Sequence, residues 1–321
     1  MPGFFIGTIA GSAIPGDPGA SRRPAKNEHK NVKLTHTRAV FLMVAVTLMW
    51  SIAGVVTRHL EQARSFEVTF WRSFFTVVSL LVILPFFQGR AVFATLRHGG
   101  WALWLSGLCW SVMFTAFMVA LTLTSVASVL VTMALGPFLT ALIARAFIGH
   151  RIPPRTWAAI FVAGLGIAYM YGTQIEAGRF AGTLVALCVP LAGGINWTIT
   201  QRASAQGARV DLVPAVLVGA VISAAATLPL ALPLRASGHD IALLALLGLV
   251  QLAIPCALAV VCARVLPAPE ISLLALLEVI FGILLAWLGA GEAPRPAVLT
   301  GGVLVIGALA ANELVAWKQR T

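Results

Sequence analysis

Apolar residues run almost unbroken through this chain, interrupted by short polar turns. Ten runs stand out, at 39–57, 68–87, 101–121, 125–147, 157–172, 181–200, 212–233, 241–263, 271–289 and 297–316. All but the 157–172 run, one residue shorter, fall within about 17–25 residues, the length a helix needs to cross the ~30 Å hydrocarbon core of a bilayer. The connections are short, which predicts antiparallel neighbouring helices, and no polar stretch is long enough for a soluble domain. The pattern predicts an all-α polytopic membrane protein with ten transmembrane helices.

Composition points the same way. The chain is 59% hydrophobic and only 10% charged, against about 25% charged in a soluble domain. Such a chain cannot cover a water-facing surface. The net charge of +11 suggests nucleic acid until its distribution is read. With the N-terminus inside, cytoplasmic segments hold 16 Lys and Arg. The outer side holds 5: Arg58, Arg64, Arg179, Arg235 and Arg295. Arg72 falls within a span. This is the positive-inside bias of a membrane protein. It predicts both termini in the cytoplasm and no nucleic-acid partner. Residues 1–37 read as a disordered cytoplasmic tail rich in Pro, Gly and charge, and 317–321 as a short cytoplasmic C-terminal tail.

Two turns repeat each other. FIGHRIPPRT (147–156) and LGAGEAPRPA (288–297) each end an apolar run with Gly and open the next with Pro. Gly149 aligns with Gly291 and Pro154 with Pro296 at an offset of 142, and Leu135, Leu142 and Ala144 meet Leu277, Leu284 and Ala286 at that same offset. Gly is a favoured residue just past a helix end, and Pro is tolerated at a helix start. The offset covers five spans, an odd number, so the two hairpins lie in opposite orientations. The pattern predicts two inverted five-helix repeats, 38–172 and 180–316. Such repeats underlie many secondary transporters, because equivalent halves can exchange roles in opening to either side.

At this point the sequence resembles a known family. LLALLEVIFGILLAWLGAGEAPRPAVLTGGVLVIGALA (273–310) looks like the closing hairpin of an EamA domain in the drug/metabolite transporter superfamily. MALGPFLTALIARAFIGHRIPPRTWAAIFVAGLGIAYM (133–170) resembles the matching end of a first EamA domain. LMWSIAGVVTRHL (48–60) and FEVTFWRSFFTVVSLLVILP (66–85) resemble its opening spans. Three positions depart from the pattern: His150 where Glu is usual, Ser51 where Gly often follows Trp, and Val279 where Pro is frequent.

Charge inside a span is costly, at least about 2.5 kcal/mol on insertion scales, so such a residue must face protein or water. Glu278 lies about seven residues, roughly 10 Å, into run nine. Its carboxyl group can bind a cationic substrate, take up a proton or pair with a neighbouring helix. Arg72 lies about five residues, roughly 8 Å, into run two from the outer side. It can attract an anionic group or reach back to headgroups along its apolar stem. These depths place the two on opposite sides of the midplane, against a direct pair. In GGINWTITQR (193–202), Asn196, Trp197 and Gln201 are cavity candidates, with Trp197 and Gln201 on one helical face. Gln251 and Pro255 share a face of run eight. Trp50, Trp110 and Trp197 can form an aromatic lining suited to flat or cationic solutes. For all of these, packing between helices is the competing role, and Asn312 reads as such a packing residue.

Cys109, Cys188, Cys256 and Cys262 fall within spans, in no metal-ligand pattern. The chain shows no paired catalytic residues, no phosphate loop and no cofactor motif, so neither an enzyme nor an ATP-driven pump is expected. The resemblance implies a secondary transporter that exports a small metabolite, amino acid or drug-like compound by alternating access, with protons as a candidate coupling ion. The alternative is a non-transporting assembly or lipid-carrier subunit of the same fold. Membrane lipid and a small-molecule substrate are the partners expected. The oligomeric state stays open.

Overall fold

The computed structural model describes residues 34–318 except 58, 64, 90, 124–128, 130–131, 134, 150, 172–179, 206–210 and 291–295. Most of the expected N-terminal tail, the last three residues and the turn around Gly291 therefore lie outside the described residues. The regular structure among the described residues is helical. In order they form α1 (His36–Thr57), α2 (Ser65–Gln88), α3 (Ala91–His98), α4 (Trp101–Leu123), α5 (Gly136–Ile148), α6 (Pro154–Tyr171), α7 (Phe180–Ala205) and α8 (Pro214–Ala231). Then come α9 (Gly238–Leu246), a π-helical segment (Leu247–Ala253), α10 (Ile254–Cys262), α11 (Ala268–Ala275), α12 (Leu277–Ala290) and α13 (Pro296–Lys318).

Seven stretches among the described residues are long and apolar enough to span a bilayer, at 36–57, 66–86, 101–120, 184–205, 214–231, 238–262 and 268–289. The protein is therefore a multi-pass membrane protein. Its surface fits this solvent: Phe41, Phe86, Leu288 and Val303 are at least 70% exposed. A face this apolar is stable only against lipid.

Three helices differ from the uniform spans that the apolar runs predict. α5 begins only at Gly136, because Pro137 in its first turn cannot donate a backbone hydrogen bond. The turn before it closes with Leu135 N–H donating to Thr132 O at 3.2 Å. Run nine is broken between α11 and α12. There Leu276 N–H donates to Leu273 O (3.2 Å) and Val279 N–H to Leu276 O (3.1 Å), the tighter i→i+3 pattern. Val279 lies 142 residues beyond Pro137, so the second break persists without a proline. Run eight carries the π-helical segment, which ends just before Pro255. The extra residue per turn re-aims Gln251, which no period in the sequence announces. α3 is an addition that the hydrophobic pattern does not predict, and α1 starts at His36, inside the expected tail.

Close packing fixes the bundle. A Cβ at Gly219 of α8 would lie 2.4 Å from Trp110 Cβ and 2.8 Å from Gly107 O of α4. Small residues let these backbones approach. Hydroxyl groups tie the interior: Ser223 of α8 accepts from Ser73 of α2 (3.1 Å) and bonds Thr115 of α4 (2.9 Å). Gly149 ends α5 in the left-handed conformation (φ 61°), as its position after the apolar run predicts, and Pro154 and Pro296 open α6 and α13.

At the end where α1 finishes, two buried carboxylates hold loops. Asp240 accepts from the backbone N–H groups of Glu61 (2.8 Å), Gln62 (3.0 Å) and Ala63 (3.0 Å). It also forms a capping box with Ser237 at the start of α9. Glu67 Oε1 accepts from Arg235 and Ala236 N–H groups, both at 2.7 Å. The α1–α2 turn and the α8–α9 connection are thereby stitched together.

Candidate functional site: a central cavity

The broken helices surround a cavity of about 150 Å³. α1 and α2 contribute Trp50 and Arg72. α4 contributes Trp110, Met113 and Phe114. α5 and α7 bring Gly136, Pro190, Gly193 and Trp197, and the π-helical segment brings Gln251. α11 and α12 close it with Ser272 and Glu278. Among the described residues, α6 and α13 contribute none of its lining.

Each wall has a structural cause. Pro190 lies within α7, and the Gly193–Gly194 pair beyond it leaves space that side chains would fill. A Cβ at Gly194 would meet Ile143 Cδ1 at 2.9 Å. α5 and α11 meet where Thr140 Oγ1 donates to Ser272 Oγ at 3.1 Å. Gly136, aligned with Glu278 at the 142 offset, lines the same cavity without a side chain. Of the two positions related by that offset, only Glu278 is charged.

Arg72 is 2% exposed. One of its terminal N–H groups donates to Phe114 O at 2.9 Å, while its Nε has no hydrogen-bond partner among the described residues. The same holds for Trp110 Nε1 and Gln251 Oε1. Three unsatisfied polar atoms on residues lining one cavity are unusual, since buried polar groups are normally paired. They leave two donors and an acceptor for a solute or water.

Arg72 and Glu278 line one cavity, and each lies within the other's electrostatic field. No Arg72–Glu278 ion pair forms within 4.0 Å among the described residues. Depths counted from the apolar runs set them apart. The helices start earlier than the runs, at Ser65 and Ala268, so both residues lie deeper. Arg72 is about 10 Å from its helix start and Glu278 about 15 Å from the start of α11.

The aromatic candidates also converge. Trp110 and Trp197 meet edge to face, with ring centroids 5.6 Å apart and planes at 88°, and Trp50 joins them on the wall. Trp50-Ser51-Ile52 in α1 matches Trp197-Thr198-Ile199 in α7, a signal for both that the hydrophobic pattern alone does not expose.

Asn196 and Gln201 do not line the cavity. Asn196 is fully buried, and its Oδ1 accepts from Ser106 Oγ at 2.6 Å, joining α7 to α4. Gln201 Oε1 accepts from Ala268 N–H at 2.9 Å and so caps α11. Pro255 shares the neighbourhood of Gln251 but is absent from the lining, whereas Cys256 is present. Glu67, Asp240 and Glu270 escape a reading focused on mid-span charge. Ser237-Gly-His-Asp240 was a readable capping signal. No cluster able to hold a metal ion occurs among the described residues.

The comparisons with known proteins agree with this architecture. Residues 37–172 match the EamA-like transporter family. A solved crystal structure, titled only as that of a protein, aligns with a TM-score of 0.73 at 20% identity, over 88% of this chain and 99% of its own. At that identity the likeness concerns the fold. No curated protein matches the chain.

Proposed function

We propose that this chain, whose residues 37–172 match the EamA-like transporter family, belongs to that family and is a secondary transporter that exports a small amphipathic solute. It belongs to the drug/metabolite transporter type. The observation that carries the reading is the central cavity, into which Arg72 and Glu278 bring opposite charges beside a tryptophan wall. A solute with an acceptor group and a flat apolar body is complementary to Arg72, Trp110 and Trp197. A cationic group or a proton is complementary to Glu278.

The chain is read as ten spans in two inverted five-helix repeats, 38–172 and 180–316, with both termini in the cytoplasm of a bacterial-type inner membrane. Three features support the repeat: the helix breaks beside Leu135 and Leu276, the shared 142-residue offset, and the Trp50 and Trp197 motifs. Alternating access follows if one half rocks against the other about the cavity. Broken helices suit this, because they form binding sites at the midplane while leaving the outer helix segments rigid. Glu278 is the proposed proton site, and its neutral form would leave the charge of Arg72 unbalanced for an anionic group. The match of residues 37–172 to a transporter family favours this reading over a non-transporting assembly or lipid-carrier subunit of the same fold.

The test compares metabolites inside and outside cells expressing the wild-type chain or an empty vector. One compound class leaving only the expressing cells supports export. No compound moving in either direction contradicts it.

A further inference from the structure

A second feature lies away from the cavity, between α6 and α13. These helices run antiparallel and are pinned at two levels. A Cβ at Gly166 would lie 2.8 Å from Gly301 O, so the backbones nearly touch there. At the other level Thr156 Oγ1 donates to Asn312 Oδ1 at 3.1 Å, out of contact with solvent. Beside this seam runs a groove of about 450 Å³, lined by Ala158, Gly307 and Ala311 and by Val162, Val303 and Val315. Val303 is 71% exposed and Val162 37% exposed, so the groove opens outward, towards lipid.

Its length and its charge are informative. From Val303 to Val315 α13 rises about 18 Å, close to half the ~30 Å hydrocarbon core. That is the reach of one leaflet's acyl chain. Arg155 closes the end where α6 begins and α13 finishes. Arg145, Arg151 and Lys318 lie exposed at that same end. Basic pockets between membrane helices on the cytoplasmic side favour anionic headgroups.

We propose that this groove holds one anionic phospholipid, its phosphate at Arg155 and one acyl chain along Val162, Val303 and Gly307. The bound lipid fills the space that the small residues leave and ties α6 to α13 at their less tightly packed half. Its leaflet, the cytoplasmic one, rests on the orientation proposed above; the binding itself does not depend on transport.

The test uses the purified full chain in micelles doped with phosphatidylglycerol or with phosphatidylcholine of the same acyl chains. Thermal unfolding and intact-complex mass spectrometry are the two readouts. Phosphatidylglycerol is expected to raise Tm by about 4 °C by linkage and to leave one lipid bound. Arg155→Gln and the groove-filling Ala311→Phe should each lose at least half of that shift and the retained lipid. Arg235→Gln, at the opposite end, should keep both. The proposal is overturned if Arg155→Gln and Ala311→Phe retain the full shift, if phosphatidylcholine works equally well, or if soluble glycerol phosphate reproduces the effect. It is also overturned if Ala311→Phe turns a dimer into a monomer with the lipid shift intact, since the groove would then seat a second copy. No cargo enters either readout, so failure here leaves the transporter reading standing, and the reverse.

Discussion

Arg72 donates from one terminal nitrogen to the Phe114 carbonyl at 2.9 Å, one turn along α4 from Trp110. The bond fixes the guanidinium on the cavity wall and leaves its Nε unsatisfied. A lysine carries the charge but not the planar fork that lets one group hold Phe114 and face a solute together. Arg72→Lys is therefore expected to lower efflux of the identified cargo at least about tenfold, the equivalent of about 1.4 kcal/mol. The assay is initial efflux at matched membrane level. Wild-type efflux in Arg72→Lys would show that charge alone suffices.

Gly219 faces Trp110 across the α4–α8 contact, with no room for a Cβ. Gly219→Ala should force the helices apart and cost about 1–3 kcal/mol, the usual range for overpacking. Thermal unfolding in detergent measures the loss. Gly54, where a Cβ would meet nothing within 4 Å, supplies the control, and Gly54→Ala should unfold like the wild type.

The helix break before Glu278 makes a sharper prediction. Pro137 occupies the position that Val279 occupies 142 residues later, and Val279 N–H makes only an i→i+3 bond. Val279→Pro should thus cost under about 1.5 kcal/mol, while Leu284→Pro, inside α12, should cost about 3 kcal/mol or more. Equal losses in a thermal or denaturant series would mean that α11 and α12 act as one continuous helix.

These helices also show what the sequence can and cannot reveal. The apolar runs make the all-helical membrane class legible, since no other solvent accommodates them. Arg72 and Glu278 stand out because mid-span charge is costly. Their meeting at one cavity was hidden, because apolar runs do not mark helix starts: Ser65 and Ala268 begin their helices before hydrophobicity rises. Asn196 and Gln201 have the same composition signal as Gln251, yet Ser106 and the Ala268 N–H occupy them. Only three-dimensional neighbours separate a polar residue that joins helices from one left facing a cavity. The π-helical turn that presents Gln251 leaves no periodic trace.

Asp240 supports three N–H groups of the α1–α2 turn as well as its own helix start. Asp240→Ala should leave those donors to water or unpaired and cost about 2 kcal/mol, in the range for a bond to a charged acceptor. Hydrogen exchange should rise at residues 61–63 and at the start of α9, with the cavity unaffected. Unchanged protection at 61–63 would show that the carboxylate does not hold the turn.

The central claim is that Glu278 works on the cargo in the cavity. The most direct measurement is the initial efflux rate of the compound identified with the wild type, in cells carrying Glu278→Gln or, as a control, Cys188→Ser at an exposed residue that is not part of the cavity lining, with membrane levels matched. The account predicts that Glu278→Gln loses at least about tenfold in rate while Cys188→Ser keeps the wild-type rate. Wild-type efflux in Glu278→Gln would contradict it.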